Sequence, residues 1–251
     1  MIDNKKLFKD KVAVITGAGS GIGFDSARIL YEKGAKVILV GKTLKVKKKA
    51  LSLNKNLEQV EYYAVDLTKE PNVKKLFKKI YFKYKKIDIL INSAGLTGGG
   101  LISEIDYKKW SLIHQNNGTI TFLCNKYASF YMKKRKYGKI LNVSSIAGRF
   151  RGLTSGTHYA YSKSGVIGFT RQLAYELSSY KINVNCLCPS HTLTPMVRSL
   201  VSKSKEKTMV KKFPFKRFSK VEEQSSVAVF LVSDYSSYMS GAIIDNNGAQ
   251  F

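Results

Sequence analysis

Short apolar runs alternate with longer segments of mixed polarity along almost the whole chain. The short runs have strand length and are bounded by glycine, asparagine or charged residues. They predict strands over residues 12–16, 37–40, 60–65, 87–91, 140–143, 184–187 and 242–244. The longer segments repeat their apolar positions at steps of three and four, one face of a helix. Val73, Leu76, Phe77, Ile80, Tyr81 and Tyr84 are the clearest case. Helices are predicted over 22–31, closed by Gly34, from about residue 43, up to Tyr84, and over 159–178 and 221–231. A long helix is predicted over 106–136, with Trp110, Ile113, Leu123, Tyr127 and Tyr131 as buried positions. Strands apolar on both faces, alternating with helices, belong to a doubly wound parallel sheet covered on each side, an α/β/α sandwich. No linker, repeat or low-complexity tract divides the sequence, so residues 1–251 read as a single domain.

Composition narrows the function classes. The 251 residues hold 43 Lys+Arg against 17 Asp+Glu, a net charge of +26. Such an excess is one footprint of a nucleic-acid binder. The excess here is lysine spread through almost every segment, and arginine, the better reader of phosphate and base edges, is scarce. With no finger, zipper or RNA-binding signature, no nucleic-acid partner is expected. No apolar run reaches membrane-spanning length, and residues 1–11 lack the apolar core of a secretory signal. Cys124, Cys186 and Cys188 are too few for a disulfide framework. A cytoplasmic protein without membrane contact is expected. No His, Cys and carboxylate cluster has metal-ligand spacing, so no metal is expected either.

The first strand runs into Thr16-Gly17-Ala18-Gly19-Ser20-Gly21-Ile22-Gly23, which opens a helix. Glycines let the backbone approach a pyrophosphate, and the helix start offers free N–H groups and a positive dipole end. An ordinary glycine turn is the alternative, but the place after the first strand favours a dinucleotide. Strand two ends Val40-Gly41-Lys42-Thr43 without a carboxylate to bind a ribose 2′-hydroxyl. Lys42 can meet a 2′-phosphate instead, so NADP(H) is favoured over NAD(H). Tyr159 and Lys163 stand at i and i+4, on one helix face. A phenol titrates near ~10. A lysine cation beside it stabilises the phenolate, so Tyr159 can act as a general acid/base. Tyr161 is no competitor, since Gly165 lies four residues on.

With these residues in view, the chain resembles the short-chain dehydrogenase/reductase family. The matching positions run from the glycine turn through Asp66-Leu67, Asn92-Ser93-Ala94-Gly95, Asn117, Ser144-Ser145 and Tyr159-x-x-x-Lys163 to Pro189 and Thr194. The resemblance implies a Rossmann-type fold and an oxidoreductase that interconverts a carbonyl and an alcohol with NAD(P)(H). It implies that Ser145 polarises the carbonyl, Tyr159 transfers the proton, and Lys163 lowers the tyrosine pKa and holds the nicotinamide ribose. Asn117 then anchors a proton-relay water. Gly17, Ser20, Gly21, Ile22, Gly23, Lys42, Asp66, Leu67, Asn92, Ala94, Gly95, Tyr159, Lys163, Pro189, Thr192 and Thr194 form the cofactor set. Within it, Asp66 meets the adenine, Asn92 and Gly95 the adenosine ribose side, and Thr194 the carboxamide.

Three departures stand out: Ser93 in place of a second asparagine, Ser190 in place of glycine, and Asp245-Asn246-Asn247-Gly248 in place of Asp-Gly-Gly. The segment after strand six, 190–218, reads as an apolar lid through Leu193, Met196, Val197, Leu200, Phe213 and Phe215. Arg149 and Arg151 are candidates for an anionic substrate. The likeness is greatest to 3-oxoacyl-acyl-carrier-protein reductases, which implies NADPH-dependent reduction of a 3-oxoacyl thioester. The basic run Lys133–Lys136 is then a candidate docking patch for an acidic carrier, and a homotetramer built on the long helices is expected. The alternative is a sugar, polyol or secondary-metabolite alcohol dehydrogenase. A cofactor-sensing or nucleic-acid-binding protein without catalysis is the reading from another class.

Overall fold

The structure, a computed structural model, describes residues 6–250. Seven strands make one sheet: β1 (Val12–Thr16), β2 (Lys36–Gly41), β3 (Val60–Ala64), β4 (Ile89–Asn92), β5 (Gly138–Val143), β6 (Ile182–Pro189) and β7 (Ile243–Asn246). Their order is β3-β2-β1-β4-β5-β6-β7, and every neighbouring pair is parallel. The chain order therefore reverses between β1 and β4, and the crevice at the carboxyl ends of those strands is where such sheets bind ligands.

Alternation along the strands builds two cores. Val12 and Val14 of β1 pack on one side against α3 (Glu70–Tyr84), α5 (Ile120–Lys133) and α7 (Thr157–Leu177). Ala13 and Ile15 pack on the other side against α1 (Gly21–Glu32), α2 (Lys45–Leu53) and α10 (Val221–Leu231). Central strands β1, β4 and β6 are almost wholly buried. The expected apolarity on both faces fails at β3 and β7, which are half-buried. Both are edge strands, covered less completely than the centre.

The predicted helix 106–136 is interrupted. It consists of α4 (Tyr107–His114), a π-helical turn over Gln115–Thr119, and α5. Of its five expected core positions Ile113 and Leu123 are buried, while Trp110, Tyr127 and Tyr131 are half-buried. Three short helices lie where no periodicity showed them: α6 (Ile146–Arg149), α8 (Pro195–Arg198) and α9 (Lys203–Val210). No helix among the described residues is long and apolar enough to cross a membrane.

Candidate active site

The glycine turn joins β1 to α1 in a conformation that only glycine fits. Gly17 has φ +67, and a Cβ on it would stand 2.6 Å from the Ser93 carbonyl oxygen. Gly23 lies in the first turn of α1, where a Cβ would meet the Gly17 oxygen at 2.8 Å. The first turn of α1 carries no carboxylate, so its free N–H groups and positive dipole end are unopposed. An open cleft of about 1110 Å³ begins here. Gly17, Ser20, Gly21, Ile22, Lys42 and Gly95 line it, and it continues past Tyr159 and Lys163 to Pro189, Thr192 and Thr194. A donor-rich helix start at one end and a Tyr/Lys pair at the other fit an elongated dinucleotide.

Five members of the expected cofactor set, Gly23, Asp66, Leu67, Asn92 and Ala94, do not line this wall. Gly23 supports the turn. Leu67 is buried in the sheet core. Asn92 is 2% exposed and donates to Asn142 Oδ1 at 2.9 Å, inside a buried amide cluster that includes Asn125. The Ala94 amide donates to Thr16 Oγ1 at 3.2 Å. Asp66 holds Lys42: its Oδ2 is 3.0 Å from the ammonium, while its Oδ1 accepts from the amide and hydroxyl of Thr68. These contacts, those of Thr68 foremost, lower the Asp66 carboxyl to about 2. Lys42 therefore stands at the cleft as half of an ion pair.

The catalytic candidates converge where β5 ends and α7 begins. Ser145 caps α6, its Oγ accepting from the Ala147 amide at 3.1 Å. Ser144 Oγ donates to the Lys163 carbonyl at 2.7 Å and fixes α7 against β5. The Lys163 ammonium donates to the Val143 carbonyl at 3.0 Å and lies 5.8 Å from the centre of the Tyr159 ring. Burial pushes Lys163 down to about 8, because the charged form is poorly solvated. Burial likewise pushes the Tyr159 phenol above its usual value, and a hydrogen bond with Ser145 pulls it back. Tyr161 packs against Trp110 with ring centres 4.8 Å apart and planes tilted by 38°, outside this constellation.

Asn117 sits in the π turn and is fully buried. Its Oδ1 accepts from the Leu96 amide at 2.8 Å, and its Nδ2 donates to the Leu96 carbonyl at 3.0 Å and to Ser162 Oγ at 2.9 Å. It clamps the loop after β4. A Cβ on Gly95 would come within 2.8 Å of Asn117 Oδ1 and 3.5 Å of Lys163 Nζ, so both side chains crowd this one glycine. A π turn at a functional position is a recurrent device.

A second cavity, of about 530 Å³, opens beside the cleft. Ser145, Tyr159, Ser190, Met196 and Val197 line both, and the second adds an apolar set, Ile146, Leu153, Leu200 and Val201, with polar groups from Thr97, Thr154, Ser155 and His191. His191 is held between Phe213 and Phe218, with ring centres 5.4 and 5.2 Å away. The sequence pattern does not mark Leu96 and Val143 on the cleft wall or Ala147 on the cavity wall. Their side chains carry no chemistry that a motif could flag. Arg149 lines neither cavity and pairs with Asp245 at 3.1 Å. Arg151 lines neither cavity. Ser190 is not among the residues of positive φ, so serine fits there without strain. Asn246 ties the tail to α10, its Nδ2 donating to the Glu223 carbonyl at 3.0 Å. Lys133–Lys136 precede the first residue of β5, at the opposite end of the sheet from Ser145.

Comparison with known proteins completes the picture. The family described as short chain dehydrogenase matches residues 11–205. A 3-oxoacyl-[acyl-carrier-protein] reductase of Thermotoga maritima is 37% identical over 243 residues, 95% of this chain and 96% of the relative. One from Chlamydia trachomatis is 34% identical over 245 residues, 96% of this chain and 98% of its own length. The crystal structure of levodione reductase superposes with a TM-score of 0.89 at 28% identity, covering 97% of this chain and 98% of that one.

Proposed function

Since this chain belongs to the short chain dehydrogenase family and is an oxidoreductase acting on CH–OH and C=O groups, we propose that it reduces a 3-oxoacyl thioester with NADPH. The acyl group is carried on an acidic acyl carrier protein. One observation carries this reading: the dinucleotide-shaped cleft and an apolar cavity meet at Ser145 and Tyr159. The full-length likeness to acyl-carrier-protein reductases supports the substrate class. Lys42 at the cleft, with no carboxylate ending β2, supports NADPH.

The chain's own groups divide the work. Gly17, Gly21, Lys163 and Thr194 on the cleft wall would hold the reduced nicotinamide cofactor, which would supply the hydride. Ser145 donates a hydrogen bond to the carbonyl oxygen, where negative charge develops. Tyr159 Oη gives its proton to that same oxygen. The Lys163 cation stabilises the phenolate that remains, and a lysine titrating near about 8 exchanges protons readily close to neutrality. Asn117 keeps the Leu96 loop and Ser162 in place beside Lys163. The apolar walls from Leu153, Met196, Leu200 and Val201 take up the acyl chain.

In this reading the chain is a single cytoplasmic domain that works as a homotetramer. The exposed rings of Phe122, Phe130 and Tyr175 on α5 and α7 support burial between subunits. The likeness to levodione reductase favours a second reading, a small free ketone as substrate. The test is a cofactor-depletion screen with NADPH and NADH over carbonyl classes. NADPH oxidation with a 3-oxoacyl thioester is expected. Turnover of free ketones, sugars or polyols in place of the thioester would replace this reading with the second.

A further inference from the structure

We propose that Ser190 and His191 are specificity-determining residues that take up a second, uncharged oxygen of the substrate, so that the site selects a 1,3-dicarbonyl over an isolated ketone. This rests on the thioester reading above, in which the second oxygen is that of the thioester carbonyl. Of the five residues that line both the cleft and the substrate cavity, three are polar: Ser145, Tyr159 and Ser190. The first two serve the reacting oxygen. Ser190 is fixed through its main chain, its carbonyl accepting from Thr192 Oγ1 at 2.9 Å. Its hydroxyl has no hydrogen-bond partner among the described residues. A free donor therefore stands beside the place where the ketone is reduced.

His191, the next residue, adds a second unsatisfied group. It is 9% exposed, lines the cavity and is gripped between the rings of Phe213 and Phe218. Its carbonyl accepts from the Ser219 amide at 2.9 Å, so backbone and ring are both held. Among the described residues its Nδ1 is buried without a hydrogen-bond partner. Its Nε2 stands 3.5 Å from Thr154 Oγ1, a contact too long to satisfy either group. Whichever ring nitrogen carries the proton, His191 and Thr154 together hold a donor that can turn to a substrate oxygen. A purely aliphatic chain would exclude water from these groups and leave them unpaired, a cost that a second oxygen removes. That oxygen belongs to an uncharged group. Burial lowers His191 below its usual value, with Gln250 opposing in part, so the ring is neutral at neutral pH. Among the described residues no lysine, arginine or carboxylate lines this cavity. Leu153, Met196, Leu200 and Val201 would leave the further hydroxyls of a polyol unpaired.

The experiment gives the full chain, with NADPH, two neutral substrates of one shape. They are ethyl 3-oxobutanoate and heptan-2-one, in which methylenes replace the ester carbonyl and its bridging oxygen. The readout is the ratio of their kcat/KM values. The parent prefers the 3-oxo ester about a hundredfold or more. Ser190→Ala and His191→Phe each lower that ratio about tenfold, and His191→Gln, which keeps an N–H, retains most of it. A shifted lid or a loss of stability would slow both substrates alike and leave the ratio as it was. A ratio unchanged in either Ser190→Ala or His191→Phe therefore overturns the proposal. Equal loss in His191→Gln and His191→Phe overturns it too, as does a parent that shows no preference or turns over neither compound. The thioester reading is judged apart, on a short, uncharged 3-oxoacyl thioester. No turnover of that thioester by the parent overturns the thioester reading, and the ratio of ester to ketone still decides the role of Ser190 and His191.

Discussion

The two halves of the site are built differently. The cleft half is made largely of strand ends and helix starts: Gly17, Gly21 and Pro189 sit where a regular element begins or stops, and Lys163 lies in the second turn of α7. Behind it lie the two cores that run the length of the sheet. The lid half is made of two short helices held by a cluster of three buried residues, Val201, Phe213 and Phe218. A buried lysine and a half-buried phenol need rigid surroundings to keep their positions, and the sheet supplies them. A substrate cavity needs walls that can part, and small clusters of few contacts open at low cost.

The sharpest contrast is chemical. Tyr159→Phe removes the proton donor and keeps the ring, so kcat falls about 10²–10⁴-fold. NADPH affinity, read by fluorescence titration, stays within about threefold. A variant that turns over normally would remove Tyr159 from its role.

Packing breaks the comparison next. Phe77 is fully buried in the sheet core, and Phe77→Ala is expected to cost about 3–5 kcal/mol in denaturant unfolding. Phe218, 2% exposed, belongs to the small lid cluster. Phe218→Ala is expected to cost about 1–2 kcal/mol, since a local opening absorbs the rest, and to raise KM for the carbonyl substrate about tenfold. Equal losses at the two positions would mean that lid and sheet unfold as one unit.

Lys163 gives a pH-dependent version. Burial lowers its folded pKa from the ordinary 10.5 to about 8, so the unfolded chain holds that proton to higher pH. Stability therefore rises with pH between about 8 and 10.5 through this group, and below about 8 the folded state bears the cost of a buried charge. The difference in unfolding free energy between the parent and Lys163→Met should grow across that window. A flat difference would mean that the lysine is better solvated than its burial implies. The smallest expected effect is at Lys42, which is exposed and already paired with Asp66. Lys42→Ala should weaken NADPH binding about three- to tenfold and leave NADH binding unchanged.

The sheet was legible in the sequence because its central strands are apolar on both faces and its helices keep a 3.6-residue period. Ser145, Tyr159 and Lys163 were legible because their chemistry and spacing are unusual together. The π turn was not legible: Gln115-Asn116-Asn117-Gly118-Thr119 interrupts the apolar stripe only briefly, and an ordinary polar turn of helix does the same. Short helices α6, α8 and α9 span four to eight residues, too few for a period to show. The resemblance implies cofactor contacts for Asp66 and Asn92, and neither lines the cleft. Asp66 is engaged by its neighbour Thr68, and its pairing with Lys42 and that of Asn92 with Asn142 join residues far apart in the chain, which no local pattern encodes. Arg149 was read as facing substrate, yet its partner, Asp245, lies 96 residues away.

The π turn also sets a phase. A helix advances 100° per residue, so one extra residue turns everything after it by that angle relative to what precedes it. Ile113 and Leu123 are both buried although they lie on opposite sides of that slip. Loss of one residue between 115 and 119 would give a more regular helix by itself. It would also swing either the α4 face or the α5 face away from the core and carry Asn117 off Leu96. In this stretch, single substitutions away from Asn117 can be tolerated, while a change in length cannot: the count of residues is itself part of the site.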